Sequence, residues 1–131
     1  MIRSTLIGAA LLAASPAAAA TLVIRAESAD GTVYAGVCDK TFDEATCPYR
    51  GRAQARAGRA EIRITGVKPG RYAVAAFLDA NGNGRLDKNF LGLPSEPYGF
   101  SNDVGRRGIP SFEGALIEVR DPSTTIAVTI R

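Results

Sequence analysis

The sequence has no histidine, no tryptophan, one methionine and only two cysteines in 131 residues. Without histidine, Ser-His-Asp and Cys-His activation of a nucleophile are closed to it, and so is the commonest zinc ligand. The one side chain whose unperturbed pKa lies near neutrality is also missing. The lack of tryptophan removes the best stacking and cation–π surface, which counts against a glycan site built on aromatic faces. No segment keeps helical periodicity over three turns. Beyond the N-terminus no apolar run approaches the roughly 20 residues that a membrane-spanning helix needs. The formal charge is only +3, too weak a balance to indicate a nucleic-acid partner.

What is present begins with an export signal. Arg3 precedes an apolar run from Leu6 to Ala14, then Ser15-Pro16 and an alanine tract ending at Ala20. A basic start, a short apolar core and Ala18-Ala19-Ala20 as an A-x-A site read as a signal peptide over residues 1–20, cleaved after about Ala20. The protein is expected in the periplasm or outside the cell, with no transmembrane segment in the mature chain. Removing 20 of the 131 residues leaves 111, enough for one domain over 21–131 with one core. In an oxidising compartment Cys38 and Cys47 are expected to form a disulfide; they have no CxxC spacing to suggest a metal or redox site.

From Thr21 onward the pattern is β. Leu22, Ile24 and Ala26 alternate with Val23, Arg25 and Glu27, as in a strand with one buried face. Ala29-Asp30-Gly31 signals a turn into a second strand, Thr32 to Cys38, predicted to form a hairpin with the first. Arg50, Arg52, Gln54 and Arg56 alternate with small residues and suggest a polar edge strand, although Arg50, Arg52, Arg56 and Arg59 together also suit an anion-binding patch. Ala60, Ile62 and Ile64 mark the clearest half-buried strand. Pro69-Gly70 predicts a type II turn with a left-handed glycine. Arg71 to Leu78 is apolar on both faces and reads as a central strand. Ala115–Arg120 and Thr125–Ile130 complete a set of about seven. The fold class is all-β, an antiparallel β-sandwich of transthyretin-like or Ig-like type.

The most distinctive stretch follows the central strand: Asp79-Ala-Asn81-Gly-Asn83-Gly84-Arg85-Leu86-Asp87. Short acidic and amide side chains recur at every second position around glycines, which suits a hard cation with oxygen ligands. Asp79, Asn81 and Asn83 occupy positions 1, 3 and 5 of an EF-hand-like loop, Gly84 the sharp turn, Arg85 the carbonyl position and Asp87 position 9. Phe90 stands where an EF-hand carries its bidentate glutamate, so a helix-loop-helix hand is excluded. Asp87, Glu96 or Asp103 would have to complete the shell. Calcium binding in the weak range of roughly 10⁻⁴ to 10⁻³ M follows. The plainer reading is a tight turn held by Asx hydrogen bonds.

Lys88 to Phe112 carries no periodic pattern, and loops of that length are often functional. Glu96, Tyr98, Phe100, Ser101 and Asn102 are its candidate ligand residues; the alternative is that its aromatics only pack on the sandwich.

Pro69-Gly70-Arg71-Tyr72-Ala73-Val74, the Asp79-to-Asp87 loop and Glu96-Pro97-Tyr98-Gly99-Phe100-Ser101-Asn102 together resemble a family of short exported bacterial proteins described only as a domain of unknown function. The likeness spans nearly the whole mature chain, and Tyr98 to Asn102 is its most specific part. It implies an antiparallel sandwich and assigns no catalytic residue. The Pro-Gly-x-Tyr turn is also similar to that of transthyretin-like and surface-adhesin B-type modules, the latter with calcium-binding Asx loops. The hydroxyisourate hydrolase of transthyretin-like fold depends on histidines that this chain lacks. The expected function is therefore a non-enzymatic, calcium-stabilised envelope module whose partner, protein or ligand, the residues do not name. One alternative is a hydrolase using Asp87, Glu96 and Asp103 for acid/base work. Another is a small-ligand or glycan binder using Tyr98 and Phe100.

Overall fold

The computed structural model describes residues 19–80, 82, 84 and 96–131. Eight strands follow in order: β1 (Ala20–Glu27), β2 (Gly31–Cys38), β3 (Tyr49–Ala55), β4 (Arg59–Val67), β5 (Gly70–Asp79), β6 (Tyr98–Phe100), β7 (Leu116–Val119) and β8 (Ser123–Thr129). They form a sandwich of two sheets. One has the order β4-β1-β8; the other has the order β3-β2-β5-β6, with β7 also pairing β5. All pairs are antiparallel except β1 with β8, which runs parallel from Thr21 beside Ser123 to Glu27 beside Thr129. The strand beyond the expected seven is β6, inside the segment that lacks periodicity.

Alternation decides which side chains enter the core. Leu22, Ile24 and Ala26 of β1 and Ile62 and Ile64 of β4 face Val33, Ala35 and Val37 of β2 and Val74, Ala76 and Leu78 of β5. The expected central strand is central: β5 pairs β2 along one edge and both β6 and β7 along the other. The arginine-bearing β3 is an edge strand, with Arg50 and Arg52 exposed. β1 starts at Ala20, itself buried and paired with Val67, one residue before the expected mature terminus.

Two local expectations are corrected. β1 and β2 form no hairpin: they lie in different sheets, and Ala29-Asp30 carries the chain across between them. The same turn residues serve either connection, and alternation fixes a strand's face but not its neighbour. Gly70 is not left-handed; it begins β5 opposite Val119, and the positive φ belongs to Gly66, at 71°. The Lys68 backbone at this turn is held by two tyrosines instead. Its N–H donates to the Tyr49 hydroxyl at 3.0 Å and its carbonyl accepts from the Tyr72 hydroxyl at 2.5 Å.

The outer face of the five-stranded sheet carries a second apolar layer. Cross-strand register lines up Arg52, Tyr34, Phe77 and Tyr98 in one row. The Tyr34 and Phe77 rings stack with centroids 5.4 Å apart. Cys38 and Cys47 form the expected disulfide, closing the excursion that brings Phe42 against Phe100 and Phe112 at 4.7 and 5.2 Å. Covered on both faces, β5 needs apolar side chains on both, which is why its sequence does not alternate.

Candidate functional site

The end of β5 is where the sequence places its oxygen-rich loop. Asp79 is the last residue of the strand and is buried. Its Oδ1 accepts the Gly82 N–H at 3.0 Å and its Oδ2 accepts the Gly84 N–H at 2.8 Å, so the chain curls around the carboxylate. Glu96, 17 residues further on, is also buried. Its Oε2 accepts the Ala80 N–H at 2.5 Å, beside Asp79. The structure thus brings Glu96 to the base of the loop that Asp79 opens. Asn81, Asn83, Arg85 and Asp87 lie outside the described residues. Asp103 goes elsewhere: Arg106 and Arg131 approach it, each at 3.4 Å.

The other candidate residues sit on or beside β6. Ser101 is fully buried; its hydroxyl donates to the Ala115 carbonyl at 2.5 Å and accepts the Val74 N–H at 2.9 Å. Asn102 adopts a left-handed backbone, φ 58°. Its side-chain amide donates to the Gly114 and Leu116 carbonyls at 3.0 and 3.1 Å. These bonds tie the segment before β7 onto β5 through groups that a sheet ladder leaves unmet. Phe100 is buried against Phe42, and Tyr98 is half-buried with its ring 5.6 Å from that of Phe100.

Tyr98, Phe100, Asp103, Arg106 and Arg131 line a groove of about 340 Å³ beside Gly99 and Thr129. Sequence reasoning singled out Tyr98, Phe100 and Asp103 there but neither arginine. The available signal was the Arg106-Arg107 pair in a Gly/Pro loop.

The family model described as "Uncharacterized protein conserved in bacteria (DUF2141)" matches residues 22–127. The chain belongs to this family. No curated protein and no solved structure matches it. The DUF2141 match runs from β1 into β8 and spans both cysteines, the loop at the end of β5 and the segment around β6. Among the described residues no three His, Cys, Asp or Glu side chains gather as a metal site. Also among the described residues, no helix is long and apolar enough to cross a membrane.

Proposed function

We propose that this DUF2141 protein is an exported, non-enzymatic β-sandwich module of the cell envelope that holds calcium weakly in the loop after β5. The observation that carries the reading is the convergence of Asp79 and Glu96 at the base of that loop. Calcium takes six to eight oxygens, carboxylates foremost. Each Asp79 oxygen spends one lone pair on a glycine N–H and has a second for an ion. Asn81, Asn83, the Arg85 carbonyl and Asp87 would supply the rest from the loop. The bound ion would fix the way the chain leaves β5 and returns through Glu96 to β6, presenting that end of the sandwich to a partner in the envelope. The leader pattern and the disulfide support export, and the lack of histidine removes hydrolysis by Ser-His-Asp or Cys-His activation.

Calorimetric titration of calcium into the protein, beside Asp79→Asn and Glu96→Gln, tests the reading. The expected result is saturable binding with Kd of roughly 10⁻⁴ to 10⁻³ M, weakened in both variants while their circular dichroism is unchanged. No binding by the wild type would reduce the loop to an Asx turn and overturn the proposal.

A further inference from the structure

The loop between the turn at Ser101–Asp103 and Phe112 ends in a narrow tip. A β-carbon on Gly105 would stand 3.1 Å from the Pro110 side chain and 3.5 Å from the Phe100 ring. Residues 105 and 110 therefore meet at a neck packed on the sandwich, and Arg106-Arg107-Gly108-Ile109 projects beyond it. Ile109 is 96% exposed and is the one exposed large apolar side chain among the described residues. Arg106 and Arg131 share the single carboxylate of Asp103, while Arg107 has no ion-pair partner among the described residues. The tip and its groove thus carry three guanidinium groups against one side-chain carboxylate. Asn102 and Asp103 at its base are consecutive residues with left-handed φ, 58° and 53°, a conformation that Asn and Asp adopt more readily than other non-glycine residues. The Asn102 side chain holds the turn through the Gly114 and Leu116 carbonyls.

We propose that this tip docks the protein onto an anionic bilayer surface, with Ile109 entering the interface and Arg106, Arg107 and Arg131 facing lipid phosphates. Four projecting residues are far short of the roughly 800 Å² per partner of a stable protein interface. A bilayer surface, by contrast, gains from a single apolar side chain and from each nearby cation separately. The proposal is independent of calcium at the other loop.

The chain contains no tryptophan, so Ile109→Trp places a lone reporter at the tip, at a site too exposed to disturb folding. Vesicles of phosphatidylglycerol in phosphatidylcholine should shift its emission to the blue, and pure phosphatidylcholine vesicles should not. Adding Arg106→Gln or Arg107→Gln should weaken the partitioning about fivefold each. Emission unmoved by anionic vesicles, moved equally by neutral ones, or indifferent to the arginine substitutions would overturn it.

Discussion

Gly99 of β6 lies against the Thr129 backbone across the two sheets: a β-carbon there would fall on the Thr129 carbonyl oxygen and 2.8 Å from its carbon. Tyr98 and Arg131 exchange backbone hydrogen bonds at 3.2 Å on the same seam, so the contact cannot open without breaking the join between β6 and the end of β8. No rotamer relieves a clash between two backbones. Gly99→Ala should lower stability by about 3 kcal/mol, read as a lower urea midpoint at unchanged slope.

Ser101→Ala removes one hydroxyl and strands two groups. The Val74 N–H and the Ala115 carbonyl both bond to it in a site with no solvent access. Leaving a buried polar group unmet costs about 1–3 kcal/mol, and the two together should lower stability by about 3 kcal/mol. Hydrogen exchange at the Val74 amide should accelerate beyond the global change. An unchanged Val74 rate relative to neighbouring β5 amides would show that the bond contributes nothing.

These residues also show how far the chain could be read beforehand. Alternation identified the faces of β1 and β4 because each has one face in the core, while the other carries Arg25 and Glu27 of β1 and Glu61 and Arg63 of β4 into solvent and buries only Val23. The two apolar faces of β5 marked it as central, since only a covered strand tolerates them. Neither pattern says which strands are neighbours. The parallel pairing of β1 with β8 joins residues about a hundred positions apart, with no local signal to announce it. At the loop, the recurrence of Asp79, Asn81 and Asn83 pointed to oxygen chemistry, while the arrival of Glu96 at Ala80 is tertiary and could be listed only as one option among three. Ser101 and Asn102 looked like polar groups offered to a ligand. Their bonds in the structure run to backbone, a distinction that composition cannot make.

The disulfide closes the excursion between β2 and β3, and its release should act on more than chain entropy. Phe42 sits within that excursion and packs on Phe100 and Phe112, so reduction frees one wall of the outer aromatic layer. A double Cys38→Ala, Cys47→Ala variant should lose about 2.7 kcal/mol from loop closure alone. Phe42→Ala should lower stability further in the oxidised protein than in the double variant, because its ring is held in place by the closed loop. Equal effects in the two backgrounds would show that Phe42 docks without the bridge.

Tyr72 should make stability fall in alkali. Burial first, then the neighbouring Tyr49 hydroxyl and the negative charge of Asp39, push its phenol from 10.0 up to about 12. The Tyr49 and Tyr72 rings meet edge to face at 5.7 Å, and the Tyr72 proton is committed to the Lys68 carbonyl. The folded state therefore holds this proton more tightly than the unfolded chain, whose tyrosines titrate near about pH 10. Its contribution is fully present below about pH 10 and is lost as pH rises through about 12. Tyr72→Phe has no proton to lose there. It should begin about 1 kcal/mol less stable at neutral pH, through the missing hydrogen bond to Lys68. Its urea midpoint should then fall less steeply than that of the wild type across the same window. Two curves that stay parallel would mean that the alkaline loss comes from groups other than Tyr72, and that the corner it makes with Tyr49 is indifferent to its ionisation.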